Sequence, residues 1–257
     1  MTDRTAPVVV TFSDDTDTAA VSLAAAEAGL HGRRLTVVHA GDERTVRRAV
    51  TALTDLDARY LHVDEPLDEA LIRLSRDAFL VVTTAAGDRR PAARRVAAHA
   101  ANPTLVASAR HVEPSAPVML AVDARHGAPR AGAFAFAEAS ARQVELAVLY
   151  VAAEVPDGPF DTVDPFAYDA AAAMEAGDRL LAEALAGYSD RYPDVAVVRR
   201  TWHDPTVVRA IADRAEKAGL LVVATRDHPR MSERLLGSVT GELLGATPCP
   251  LAVVPAR

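Results

Sequence analysis

The chain has 257 residues, half of them hydrophobic, only 5% aromatic and 25% charged, with a formal net charge of −7. This length holds one large α/β unit or two of ordinary domain size, and a core dominated by Ala, Val and Leu suits a parallel sheet covered by helices on both faces. The acidic balance excludes binding of nucleic acid or acidic membranes through overall charge, and no apolar run reaches the ~18–20 residues of a membrane span, so the expected setting is cytoplasmic, without nucleic-acid or membrane partners.

The first apolar run, Val8-Val9-Val10-Thr11-Phe12, reads as a strand. It leads through an acidic turn into an Ala-rich helical segment from Asp17 to Ala28, and Leu35-Thr36-Val37-Val38-His39 forms a second strand. Leu67, Ala70, Leu71 and Leu74 stand at helical spacing between Pro66 and Ser75, and Phe79-Leu80-Val81-Val82-Thr83 follows as a strand. A short helix and the turn Asn102-Pro103 lead to a last strand at Thr104 to Ala107.

The same succession then starts again, and a repeat of this kind decides the fold. Val118-Met119-Leu120-Ala121-Val122 is followed by Asp123 and a turn, an Ala-rich segment from Pro129 to Arg142, and the strand Leu146 to Val151. A long helix with Met174, Leu181, Leu185 and Tyr188 on one face comes next. Asp204 and Pro205 are good start signals for a helix running to Lys217, with Val208, Ile211, Ala212 and Ala215 inward, and Leu220-Leu221-Val222-Val223-Ala224 is a strand. The turn Pro248-Cys249-Pro250 precedes the last strand, Leu251 to Val254. Strands alternating with helices of this length call for right-handed crossovers and a parallel sheet. Between the halves, Glu113-Pro114-Ser115-Ala116-Pro117 reads as an extended linker because residues before proline avoid the helical region. The expected domains are therefore 1–111 and 112–257.

The stretch Leu220 to Val254, with Leu235-Leu236-Gly237-Ser238-Val239-Thr240 and the Pro-Cys-Pro before the last strand, resembles the C-terminal signature of universal stress protein domains. Asp123 after the first strand of the second half fits the same pattern, and the resemblance extends more weakly over residues 8–107. It implies two tandem doubly wound, Rossmann-like domains, each with a five-stranded parallel sheet of order 3-2-1-4-5. It also implies a stress-response module that takes ATP or another adenine nucleotide, with Mg²⁺ if bound. The last strands of such domains pair with one another, so an internal pseudo-dimer through Thr104–Ala107 and Leu251–Val254, or a homodimer, is expected as well.

Nucleotide-binding members carry glycine, two residues, glycine, nine residues, then glycine with serine or threonine, because phosphate oxygens must reach bare backbone N–H groups. Here the closing pair is Gly237-Ser238, while Ala224 and Asp227 occupy the two earlier glycine positions. By the resemblance, Asp123 and Val151 meet the base, Val223 and Ala224 lead into the phosphate loop, and Val239 and Thr240 continue it. The other reading of the loop is a solvated charged turn, with Ser238 an ordinary helix cap and Asp123 a cap for its own turn.

In the first half the site looks erased. Ser13 stands where the acidic residue belongs, and the segment that would carry the phosphate loop is shorter, leaving the basic run Gly87 to Arg95, which reads as a solvated helix end. Asp14, Asp15 and Asp17 read as capping and surface charge, and Cys249 as a small residue entering a strand. No pair of histidines at i, i+4, no Gly-x-Ser-x-Gly elbow and no lysine-bearing P-loop is present. No catalytic residue is assigned, and a lysine is missing between Ala224 and Ser238, so a weak ATP hydrolase ranks behind a nucleotide-responsive module and behind an interaction protein whose sites have decayed.

Overall fold

The structure, a computed structural model, describes residues 5–110, 112–122, 129–152, 175, 177–179, 181–183, 185–225 and 236–256. Ten strands form one sheet: β1 (Val8–Thr11), β2 (Leu35–His39), β3 (Ala58–His62), β4 (Leu80–Thr84), β5 (Thr104–Ala107), β6 (Val118–Val122), β7 (Leu146–Ala152), β8 (Val197–His203), β9 (Leu220–Ala224) and β10 (Leu251–Val254). Their order across the sheet is β3-β2-β1-β4-β5-β10-β9-β6-β7-β8. Each half is thus a parallel sheet of order 3-2-1-4-5, as the family resemblance implies.

The halves join where β5 and β10 run antiparallel, with Val106 opposite Leu251, Leu105 opposite Ala252 and Thr104 opposite Val253. Thr104 and Leu251 each open their strand, so this register is its own mirror about Leu105 and Ala252, the signature of a two-fold contact. Pairing uses backbone groups that an open edge would leave unsatisfied.

Helices α1 (Thr18–Leu30), α2 (Glu43–Thr51) and α5 (Pro129–Arg142) cover one face of the sheet, and α3 (Leu67–Leu74), α4 (Arg90–His99) and the helices Val207–Ala215 and Ser238–Leu243 cover the other. Side chains alternate between faces along a strand. Accordingly Val8 and Val10 pack with α1, while Val9 packs in the cluster containing Ala70 and Val96. Alanines do much of the packing, among them Ala24, Ala28, Ala131, Ala135 and Ala139, all buried. Their small size lets helices lie close to a sheet of Val and Leu.

Three local features differ from the sequence expectations. The helix expected from Asp204 starts at Val207, because Asp204 accepts from the Thr206 N–H at 2.8 Å and makes a turn ahead of it. The expected long helix ends before Gly187, whose φ of +80° is left-handed, and a separate one-turn helix Tyr188–Arg191 follows. Of the face expected for it, Leu181 and Leu185 are buried and Met174 lies outside the described residues. The linker is a turn rather than extended, closed by the Ala116 N–H on the Glu113 carbonyl at 3.0 Å. Proline at the second position of a turn favours this.

The turn brings Ala116 against Gly219, where a Cβ would fall 2.8 Å from the Ala116 carbonyl oxygen. Backbone cannot yield as a flexible side chain does. Gly219→Ala is therefore expected to cost about 1–3 kcal/mol, read as a lower thermal midpoint. An unchanged midpoint would mean that the linker turn moves freely.

On the α1/α5 side lies a buried ring of four ionisable groups. Glu27 and Glu138 are both fully buried, on equivalent helices, each followed four residues later by a cation, His31 or Arg142. His31 Nε2 lies 2.9 Å from Glu138 Oε1 and 3.5 Å from Glu27 Oε2, and Arg142 bonds Glu27 Oε1 and, at 3.1 Å, Glu138 Oε2. Cations and anions alternate, so with His31 protonated the ring carries no net charge. Burial works against the imidazolium, but the hydrogen bond with Glu138 and the negative charges of Glu138 and Glu27 outweigh it and push the His31 pKa up to about 9. Glu27 is desolvated too, yet His31 and Arg142 hold its pKa below the ordinary carboxylate value.

Candidate functional site

Ligands of open α/β sheets settle beyond the carboxyl ends of the strands, where the strand order reverses. In the second half this point lies between β6 and β9, since the chain runs outward through β7 and β8 on one side and through β10 on the other.

β9 ends with Val223 buried and Ala224 half-buried, Ala224 being paired with Val254. Just beyond, the Thr225 N–H donates to the Val254 carbonyl at 2.9 Å, and the Thr225 hydroxyl accepts from the Ala256 N–H at 3.0 Å. The helix Ser238–Leu243 begins over this corner. Gly237 precedes it with extended ψ of 155° and accepts from the Gly241 N–H at 2.8 Å. Thr240 is buried, and its hydroxyl reaches the Ala224 carbonyl at 3.4 Å, tying the helix start to the strand end.

Among the described residues no side chain caps this helix start, and Ser238 is exposed. The expectation that Ser238 is the cap therefore fails, because Gly237 holds the cap position and Ser238 is the first helical residue. N–H groups of a first turn have no acceptor within their own helix. The opening at Gly237-Ser238-Val239 therefore fits phosphate oxygens chemically. Val239 is half-buried and packs against the core cluster of this face.

Val151 lies on β7, buried and paired with Trp202 of β8. One strand, β6, stands between it and β9, and its last residue is Val122. Structure thus brings Val223, Ala224, Gly237, Val239 and Thr240 to one corner and sets Val151 two strands away. Asp123 and Asp227 lie outside the described residues.

The equivalent corner of the first half holds an internal ion pair. The Ser13 N–H and hydroxyl donate to buried Asp17 at 2.7 and 2.8 Å. Arg89, beyond β4, reaches Asp14 at 2.5 Å and lies 3.9 Å from Asp17. Asp14 has its pKa lowered, first by the Thr16 hydroxyl and N–H and further by Arg89.

The basic run is mostly exposed, as a solvated helix end should be, but its arginines also make defined contacts. Arg95 pairs with Asp68 at 3.0 Å and Glu69 at 3.2 Å, while Arg90 donates to the Gly241 and Glu242 carbonyls at 3.5 and 3.4 Å. Arg94 lies against Gly241. Cations suit the carboxyl end of a helix. Arg90 and Arg94 of the first half thereby brace the helix that opens at Gly237.

Sequence reading missed Arg89 and the buried ring. The signal for the ring was present: a Glu inside each Ala-rich helix, four residues ahead of a cation. A search for paired histidines passes over a mixed Glu and His pair.

Cys249 is buried, and that burial pushes its thiol up to about 11. Only the thiolate attacks. The folded protein at pH 8 is expected to resist maleimide while the urea-unfolded chain reacts at one site, and rapid labelling of the folded form would contradict the burial. A cavity of about 260 Å³ lined by Arg110, Glu113, Glu216, Lys217 and Pro248 lies at the opposite, amino end of β9 and β10. It is remote from the strand ends where ligands are expected.

The family model described as Universal stress protein family matches residues 115–255. Universal stress protein Rv2623 of Mycobacterium tuberculosis is 33% identical over 199 residues, 72% of this chain and 62% of the relative. A universal stress protein of Mycolicibacterium smegmatis is 36% identical over 146 residues, 55% of this chain and 46% of its own. The chain thus spans less than two thirds of these relatives' length. Among solved structures, a universal stress protein from Archaeoglobus fulgidus superposes with a TM-score of 0.66 at 14% identity, covering 98% of this chain and 97% of that one. The functionally unknown protein PA1789 from Pseudomonas aeruginosa gives 0.64 at 15% identity, covering 98% and 93%. At such identities these two likenesses concern the fold. No helix among the described residues is long and apolar enough to cross a membrane.

Proposed function

The chain belongs to the universal stress protein family, and from that premise we propose that it is a cytoplasmic regulatory module of two domains, 1–111 and 112–257, whose second domain takes an adenine nucleotide. The observation that supports this reading most is the corner where Ala224, Gly237 and Thr240 meet, with an uncapped helix start beside the end of β9. Phosphates belong at Gly237, Ser238, Val239 and Thr240, the base near Val151 and Asp123, and Val223 and Ala224 form the wall between them. Bound ATP would bring Mg²⁺ with it.

The protein's part is to hold, not to react. Backbone N–H groups at Gly237-Ser238 would donate to phosphate oxygens, the Thr240 hydroxyl fixes the helix start to β9, and Arg90 and Arg94 brace its far end from the other domain. Nucleotide binding would in this way be felt across the joint. The first domain takes no part as a receptor, because Arg89 already satisfies Asp14 where a ligand would lie.

Titrating the purified chain with ATP tests the reading. Binding to the folded state alone stabilises by RT ln(1 + [L]/Kd), about 2.7 kcal/mol at a hundredfold excess over Kd. The midpoint is expected to rise saturably, without phosphate release. No shift at millimolar ATP would leave an interaction protein, also dimerising with a second copy, as the better account. Phosphate release abolished by Asp123→Ala would make it an enzyme.

A further inference from the structure

The ring between α1 and α5 has a property that ion pairing leaves unused. A protonated His31 has one N–H on Nε2, and it serves Glu138 Oε1 at 2.9 Å. Glu27 Oε2, 3.5 Å from the same nitrogen, is fully buried and has no hydrogen-bond partner among the described residues. An unsatisfied buried carboxylate oxygen is costly. One proton cannot satisfy both oxygens; a divalent ion coordinated by the nitrogen can.

We propose that Glu27, His31 and Glu138 form a transition-metal site at the joint between the two halves, with zinc as the natural occupant. The three ligand atoms lie within 4.8 Å of one another. Bonds of ~2.0–2.1 Å in a tetrahedral zinc site put ligand atoms about 3.3 Å apart, and the two separations from His31 Nε2, 2.9 and 3.5 Å, straddle that value. Glu27 and His31 project from one helix face at i, i+4, and Glu138 closes from the facing helix.

Each carboxylate has its other oxygen on Arg142, an arrangement that orients metal-bound carboxylates. One imidazole with two carboxylates suits zinc, whereas calcium asks for six to eight oxygens. His31 keeps 13% of its side chain exposed, which gives the ion an approach and a water the fourth position. The buried charge balances when that water is bound as hydroxide, since two carboxylates face Zn²⁺, Arg142 and one hydroxide. Zinc favours that ionisation.

The test uses the untagged full chain, freed of metal with a chelator and titrated with Zn²⁺ against a chromogenic competitor. One saturable equivalent per chain is expected, lost in His31→Gln and in Glu138→Gln. Circular dichroism checks that these variants are folded. Should they unfold, Co²⁺ added to the unmodified chain gives an independent answer: visible bands of tetrahedral nitrogen and oxygen ligation, displaced by one equivalent of Zn²⁺. Absence of saturable uptake, uptake that persists in folded His31→Gln, or a cobalt spectrum no different from the aqueous ion would overturn the assignment and leave a ring closed by the proton alone.

Discussion

Glu138→Gln is expected to lower stability by about 3–5 kcal/mol, because it removes one of two fully buried carboxylates from a ring that holds two partly buried cations. Arg142 and His31 would then share Glu27 alone, with Glu138's place taken by a neutral amide. For a chain of this length each kcal/mol moves the midpoint by about 2–4 °C, so the fall in metal-free protein is about 6–20 °C. Arg47→Ala is the control. It breaks the exposed pair with Glu43, at 2.8 Å on the surface of α2, together with the guanidinium's contact over the Tyr60 ring, and is expected to move the midpoint far less. Equal effects of the two changes would show that the ring adds nothing beyond a surface pair.

The same ring sets a pH dependence in metal-free protein, and its sign follows from the two shifts. His31 has a folded pKa of about 9, above its ordinary value, so its contribution is complete below about 6.5 and disappears as pH rises through 9. Glu27 is shifted downward, so its contribution is present above the ordinary glutamate value and is lost as acid protonates it. Stability due to the ring is therefore greatest between these limits. His31→Gln should flatten the decline between pH 6.5 and 9, and a decline unaltered by that change would point to other groups.

Asp227→Gly is the second large effect. In the proposed site Asp227 takes a glycine position of the family's phosphate-loop pattern, and two unit charges about 4 Å apart repel by roughly 1 kcal/mol in water and about 4 kcal/mol at intermediate dielectric. Removing the carboxylate is thus expected to tighten ATP binding by about one to three orders of magnitude. Raising salt should narrow the gap between the two proteins, since screening weakens the repulsion in the original chain. An affinity unchanged by the substitution would mean that Arg226, His228, Arg230 and Arg234 already offset the charge.

Much of the fold was legible because its signals are local and repeated. Runs such as Val8-Val9-Val10 and Leu220-Leu221-Val222 declare buried parallel strands, meeting the same succession twice shows the two halves, and the family resemblance implies the strand order in each. The third strand of each half was harder to locate. β3 and β8 are the sheet's two edges, so Ala-Arg-Tyr-Leu-His and Val-Val-Arg-Arg-Thr-Trp-His carry charge and lack an apolar run.

Apart from the β5/β10 pairing, which the family resemblance implied, contacts between distant segments were not legible. Glu27 and Glu138 are 111 positions apart, and Arg89 finds Asp14 from 75 positions away. For Arg89 and Asp14 nothing local marks the pairing, and for the two glutamates the one local sign is a cation four residues on in an Ala-rich helix. They become partners only once the helices are laid on the sheet. Of the corner proposed for the nucleotide, sequence supplied Gly237, Ser238 and Thr240 through the motif, and the fold set Thr240 beside Ala224. Bracing of the helix by Arg90 and Arg94 depends on the β5/β10 joint and has no motif of its own.

Hydrogen–deuterium exchange with and without ATP tests the central claim, one adenine nucleotide site located in the second half. Exchange is expected to slow at Ala224, Thr225 and Gly237 to Thr240 at saturating ATP, and to stay unchanged around Ser13 to Asp17 and Arg89. Unchanged exchange everywhere at millimolar ATP, or protection confined to the first half, would contradict it.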